Sequence, residues 1–258
     1  MLTQQQYDTL VERAESFAFT SLQYPDYDGH RDYQVLYDGE NGLLLGETEL
    51  DPSPVHWAAN GEKELLALLA LAPENITVPF VPKEFQQPLA DAGFFVLGEF
   101  ADFFNFKLVE TAKTFAPQEA ELLRTDEAEA ASALSKTVRG QSRGFMGETA
   151  QWFTEWMEDG DVLVVREDGE LAGVCCVTVY NSGTTLWVRE IAVSPAHQRN
   201  GYGRRLMEQA LVYGMRRGAV KAFLAADLQN TNAIALYESC GFARHGTETE
   251  LQMARGNF

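Results

Sequence analysis

One stretch constrains the path of this chain more than any other. Residues 189–211 read REIAVSPAHQRNGYGRRLMEQAL: a β-rich run, a proline, then two glycines one residue apart, then a helical pattern. From Tyr202 onward, Leu206, Met207, Ala210, Leu211 and Gly214 share one helical face, and Gly218 supplies a C-terminal stop. The segment is therefore strand, loop, helix start. A helix N-terminus carries unpaired backbone N–H groups and the positive end of the dipole. Glycine beside it clears side chains from an approaching anion and permits unusual dihedrals. Arg199, Arg204 and Arg205 can add charge-assisted hydrogen bonds. The spacing Gln198-x-x-Gly201-x-Gly203 matches neither G-x-G-x-x-G nor a P-loop.

The flanking sequence places this loop in a layered fold. Residues 120–139 give a short strand, then Thr125 or Asp126 as an N-cap before an Ala-rich helix. TAQWFTEWMEDG is a second helix, stopped at Gly160. DVLVVREDGELAGVCCVTVY is a hairpin around Asp168-Gly169, and TTLWVREIAV is the next strand. KAFLAADL is a strand, NAIALYESC a helix, and Gly241-Phe242 opens a last strand. Strands alternating with helices predict an α/β or α+β domain with a mixed central sheet flanked by helices.

The first half echoes the second. Asp38-Gly39, Asn60-Gly61 and Gly93-Phe94 correspond to Asp168-Gly169, Asn200-Gly201 and Gly241-Phe242, at offsets growing from 130 to 140 to 148. Three matches in order predict a tandem duplication, with domains at 1–114 and 115–258. In the first copy Ala58 and Ala59 stand for Gln198 and Arg199, Lys63 stands for Gly203, and Glu62 puts an anion where an anion should bind. That copy is expected not to carry the loop's function.

Composition excludes several classes. The net charge of −18 argues against nucleic acid, whose phosphates need clustered Lys and Arg. Acid is concentrated early: residues 1–120 hold 20 Asp and Glu against 6 Lys and Arg, and residues 121–258 hold 18 against 14. The basic cluster from Arg189 to Lys221 is an island that suits a small anionic ligand, with Arg216 and Arg217 read as last-turn cations of the helix. No apolar run reaches the roughly 18 residues of a membrane span, and no basic start precedes an apolar block, so no membrane association and a cytoplasmic protein are expected. Cys175, Cys176 and Cys240 read as buried reduced thiols. His30, His56, His197 and His245 lack metal-ligand spacing, so no metal is expected.

Two blocks together carry a resemblance. IAVSPAHQRNGYGRRLM followed by NTNAIALYESCGF resembles the GNAT superfamily of acyl-CoA-dependent N-acyltransferases. The first block is similar to V-x-P-x-x-[QR]-x-x-G-x-[GA], the second to N-x-x-A-x-x-L-Y-x-x-x-G-F. The detailed match covers about 186–245. It implies a GNAT-like sheet and acetyl-CoA as co-substrate. Backbone groups of Ile191, Ala192 and Val193 would hold the pantetheine arm. Gln198, Arg199, Asn200, Gly201, Tyr202, Gly203 and Arg204 would form the pyrophosphate loop. Asn230 would contact cofactor or tie the splayed strands, and Tyr237 would protonate the departing thiolate.

A primary amine must lose a proton before attacking a thioester. Glu190 is the candidate base because it lies on the strand that would border the acyl group, with a structural carboxylate as the alternative; where family members often carry an acid after the next strand, this chain has Ala225 and Ala226, and only Asp227 is nearby. Arg139, Arg143 and Phe145 lie where the family builds its acceptor pocket. The expected function is transfer of an acyl group, acetyl in the first instance, to a small-molecule or peptide amine by direct attack in a ternary complex. The alternative is an acyl-CoA-binding pseudoenzyme that regulates a partner. Neither the acceptor nor the oligomeric state is legible.

Overall fold

The computed structural model describes residues 1–22, 27–115, 120–138 and 147–257. The chain forms two compact units, one of Met1–Glu99 with Glu248–Phe258, the other of Phe100–Thr247.

The first unit opens with α1 (Gln4–Ala14), whose N-terminus is closed by a reciprocal cap between Thr3 and Gln6. Tyr7, Leu10 and Ala14, three and four residues apart, form its buried face. There follow β1 (Phe19–Thr20), α2 (Tyr27–His30), β2 (Gln34–Gly39), β3 (Gly42–Gly46), β4 (Ser53–Ala59), α3 (Glu62–Leu69), β5 (Ile76–Pro82) and α4 (Gln86–Asp91). The strand β6 (Phe95–Asn105) spans the division at 99/100.

The second unit continues with α5 (Leu108–Ala112), β7 (Glu121–Leu122), α6 (Ala128–Thr137), α7 (Ala150–Asp159), β8 (Asp161–Glu167), β9 (Glu170–Tyr180) and β10 (Thr185–Val193). Then come α8 (Tyr202–Arg216), β11 (Lys221–Asp227), α9 (Thr231–Ser239) and β12 (Ala243–Arg244). The chain returns to the first unit with β13 (Glu250–Arg255).

The division falls at 99/100 and 247/248 rather than at 114/115, and strand pairing is the reason. In the first unit, β4 and β5 are parallel, and β13 from the chain's end closes on β5 antiparallel, pairing Leu251 with Val81 and Met253 with Val78. In the second unit, β10 and β11 are parallel, and residues 100–105 of β6 close on β11 antiparallel. Each unit thus has hairpin, strand, helix, parallel strand and helix in the same order. Each is completed by a strand that the sequence places beside the other one. Backbone hydrogen bonds are satisfied by whichever strand pairs, however far away in sequence.

The sheet of the second unit has a core on each face. Leu206, Met207, Ala210 and Leu211 of α8 pack with Cys175, Val177, Leu186 and Leu224 on one side. Phe153 of α7 and Ala131 and Leu134 of α6 pack with Val162, Val164, Val174 and Cys176 on the other. The adjacent thiols Cys175 and Cys176 therefore point to opposite faces, as strand alternation requires. Full burial of each large apolar side chain contributes about 1.5–3 kcal/mol. At the far end of α8, Arg217 bonds Asp161 at 2.7 Å and covers the Tyr213 ring, so it belongs to the helix end. A 3-10 turn, Thr125–Glu127, precedes α6 where an N-cap is expected.

Candidate active site

The parallel strands β10 and β11 pair only at Thr185–Lys221, Leu186–Ala222 and Trp187–Phe223. Beyond Trp187 they part. β10 stays bonded to β9 through Val193, and β11 stays bonded to β6 through Asp227. A wedge opens between them, edged by the main chain of Ile191, Ala192 and Val193. The cause is local: β10 carries a bulge at Arg189, since Val188 pairs with Val177 and Glu190 with Cys176. A bulge adds twist and re-aims side chains.

That bulge sets Glu190 on the α6 side of the sheet. Its side chain is 8 % exposed, and its Oε1 accepts a hydrogen bond of 2.9 Å from the Ser135 hydroxyl. Its Oε2 is buried and has no hydrogen-bond partner among the described residues. Burial, then the nearby negative charge of Glu148, raise the Glu190 carboxyl to about 7; the Ser135 bond and Arg189 pull weakly the other way. Glu148 is itself held, its N–H donating 2.9 Å to Ser135 Oγ and its carboxylate 3.2 Å from Arg189. The Arg189 guanidinium lies 4.8 Å over the Trp152 ring, which stacks on Trp156. The aromatic set of α7 is thus part core and part support for this arginine.

At the mouth of the wedge the chain turns through Pro195–His197, and Gln198 Nε2 donates 3.1 Å to the Val193 carbonyl, pinning loop to strand. Arg199 and Gly201 adopt positive φ, 63° and 84°, so the loop presents successive N–H groups at the start of α8. Gly201 is the N-cap residue and offers no side-chain cap. The first backbone bond of the helix runs from Arg205 to Gly201. The N–H groups of Arg199 to Arg204 donate to no protein acceptor in the described structure, and the first turn holds no acid. A Cβ at Gly201 would meet nothing within 4 Å, which leaves open space before the helix. Gly203 differs from expectation. A Cβ there would lie 3.2 Å from Leu236 Cδ2 and 3.8 Å from Val193 Cγ2, so its bareness serves the packing of α8. Arg204 also differs: its guanidinium donates 2.7 Å to Ser239 Oγ, whereas Arg199 is exposed. Glu167, whose carboxylate raises the Tyr202 phenol pKa, also lies 3.3 Å from His197 Nε2.

Asn230 is the N-cap of α9, its Oδ1 accepting 3.2 Å from the Ala233 N–H. Tyr237 on α9 is 9 % exposed, faces the α8 core and stands near Phe242. Burial, with the Cys175 thiol beside it, raises its phenol well above the usual range. Arg139, Arg143 and Phe145 lie outside the described residues. Two contributors escaped the sequence reading. Ser135 carries no motif. Asp102, paired with Ala225, sits on β6, which the sequence places in the other half.

Splayed parallel strands, a bulge beside the splay and a bare helix N-terminus mark a mixed α/β fold with a gap between two strands that ends at unpaired backbone N–H groups. The profile of the Acetyltransferase (GNAT) family matches residues 108–242, and the chain belongs to that family. The chain is 35% identical over 97 residues to streptothricin acetyltransferase of Streptomyces lavendulae, covering 36% of this chain and 51% of that one. It is 38% identical over 78 residues to the ribosomal protein bS18 alanine N-acetyltransferase of Escherichia coli K12, covering 30% and 51%. The chain thus spans about half the length of these curated relatives. A GNAT-family acetyltransferase structure from Colwellia psychrerythraea superposes with a TM-score of 0.60 at 12% identity, over 99% of this chain and 98% of that one, which shows the shared fold. No group of three metal-ligating side chains and no helix long and apolar enough to cross a membrane occurs among the described residues.

Proposed function

We propose that the chain transfers an acyl group, acetyl in the simplest case, from acyl-CoA to a primary amine by direct attack in a ternary complex. Bound acyl-CoA supplies a thioester carbonyl and a thiol leaving group. The N–H groups of Arg199 to Arg204, aided by the Arg199 and Arg205 side chains and the α8 dipole, hold its diphosphate. The open edge of Ile191 to Val193 hydrogen-bonds the pantetheine amides as an added strand would. Gln198 keeps the loop against that edge, and the Asn230 amide nitrogen is a donor at the wedge's other side.

Glu190 takes the proton from the acceptor ammonium, directly or through a water. Its buried Oε2, unpaired among the described residues, is the observation that carries the reading, because an orphaned buried oxygen costs stability and is retained where it has chemistry to do. A carboxyl near 7 is well matched to general-base work at neutral pH. Tyr237, whose buried phenol keeps its proton in this range, hydrogen-bonds the departing sulfur, and the second proton lost by the acylated nitrogen passes to that sulfur so that CoA leaves as the thiol. Positioning amine against thioester provides most of the acceleration. An acyl-CoA-binding module without activity would gain nothing from a buried, half-bonded carboxylate beside the wedge.

The first unit reads as a degenerate copy that leaves CoA unbound. There β4 reaches α3 through Asn60 and Gly61 alone, where eight residues from Ser194 to Gly201 separate β10 from α8, and Glu62 and Glu64 occupy the first turn of α3. Three unpaired buried cysteines suit a reducing, cytoplasmic setting.

Thiol release from acetyl-CoA across a panel of small and peptide amines tests the proposal. The wild type turns over at least one class, and Glu190→Gln loses kcat by about 10²-fold or more. Full activity in Glu190→Gln, or bound CoA with no turnover of any amine, rules the proposal out.

A further inference from the structure

β11 carries Ala225 and Ala226 beyond the point where it parts from β10, and the strand register shows what faces that place. Ala225 pairs with Asp102 of β6, and Phe223 pairs with Phe104. Directly paired residues share a face of a sheet, as do residues two apart on one strand. Glu190 pairs with Cys176, Thr178 with Trp187, and Trp187 with Phe223. Stepping along these pairs puts Glu190, Trp187, Phe223, Ala225 and Asp102 on one face. Glu190 thus stands at one edge of the wedge and Asp102 one strand beyond its other edge, both on the side away from α8.

This face is open at its centre. Ala225 is exposed although it lies mid-strand. Asp102 is half-buried, and its carboxylate makes no hydrogen bond or ion pair in the described structure. Burial raises its pKa, while His245 holds it down somewhat. The Phe104 ring lies 5.0 Å from Phe223 and stacks on Phe106 at 5.1 Å, and His245 meets Phe104 edge-on at 5.1 Å. Phe106 is 60% exposed and Tyr180, whose phenol feels the Asp102 charge, 37% exposed. A half-desolvated, unpaired carboxylate rimmed by aromatic rings is the chemistry that recognises an ammonium, by charge-assisted hydrogen bonds and by attraction to ring faces. Independently, the buried and unpartnered Oε2 of Glu190 marks the same face as the one where a ligand completes the hydrogen bonding.

From this juxtaposition we infer that Asp102 is a specificity-determining residue that binds a second cationic group of the acceptor, so that the preferred acceptors are diamines or larger polycations. The inference rests on the acyl-transfer reading and narrows its substrate class.

The test uses matched probes: α,ω-diamines of three to six carbons and the n-alkylamines of equal length, with acetyl-CoA and the full chain. For wild type, kcat/KM of the best diamine exceeds that of its monoamine partner by about tenfold or more, with an optimum in chain length, since a charge-assisted hydrogen bond is worth about this much. In Asp102→Asn the ratio falls to about two, the statistical value for two equivalent amines, while the KM for acetyl-CoA holds. A wild-type ratio of about two at every length overturns the inference without any variant, and so does a high ratio that survives Asp102→Asn. Turnover of monoamines with no diamine preference leaves acyl transfer standing and removes this inference alone. Absence of turnover with every amine removes both.

Discussion

The Ser135 hydroxyl donates 2.9 Å to one oxygen of Glu190, and the other oxygen of that carboxylate is buried with no hydrogen-bond partner among the described residues. Half of the group is fixed and half is held ready, so its protonation should be visible in the rate. With the carboxyl near 7, it is protonated and unable to accept below that pH. The expected kcat/KM for the amine rises through about pH 7. In Ser135→Ala, loss of a bond to the charged form moves this rise about one unit higher. A pH–rate profile of the two proteins checks it.

The same carboxyl has a signature in stability. Its folded pKa of about 7 exceeds the ordinary 4.5, so the folded state binds more protons than the unfolded state between those values. Its contribution is therefore intact below about pH 4.5 and is lost as pH rises through about 7, reaching a cost of roughly 3 kcal/mol. Glu190→Gln removes the titration. Urea unfolding at pH 5 and pH 8 should show the variant gaining on wild type by about 2–3 kcal/mol between the two.

Glycine at two positive-φ turns separates backbone strain from ligand binding. Gly169 and Gly201 have φ of 88° and 84°, and a Cβ at either meets nothing within 4 Å. Alanine at each should cost about 1–2 kcal/mol of stability from the left-handed conformation. Only Gly201→Ala should also weaken CoA, by about tenfold or more, because its methyl group stands before the bare N–H groups. Thermal unfolding and calorimetric CoA titration of both variants decide this.

Tyr237→Phe keeps the ring in its buried place and removes only the hydroxyl. The expected outcome is a fall in kcat of about 10²-fold with acyl-CoA affinity within threefold of wild type. Single-turnover kinetics with a saturating amine, beside direct titration with CoA, measure the two quantities separately.

What the residues made legible was mostly local. The turn at Asp168-Gly169 has φ of 51° and 88°, the dihedrals such a two-residue hairpin needs, and the apolar stripe of α8 is buried as its spacing requires. The loop from Ser194 to Gly201 is legible because glycine and proline report main-chain geometry. Long-range pairing was not. Nothing in FVLGEFADFFN tells that its second half closes on β11, and nothing in ELQMAR tells that it closes on β5. A strand's alternation specifies a face and leaves the neighbour open. Asp102 and Ser135 were invisible for that reason, since each acquires meaning only from what lies across from it. Gly203 and Asn230 show the reverse limit: a motif position can be right while its side chain, or lack of one, serves helix packing and capping.

Every role proposed above depends on the main chain from Arg199 to Arg204 receiving a diphosphate. Amide-resolved NMR titration of the full chain with CoA reads those N–H groups directly. Saturable shifts of the amides from Arg199 to Arg204, larger than elsewhere and weakened by raised salt, are the predicted result. Saturable binding that leaves these six amides unmoved, or no binding at millimolar CoA, would contradict it.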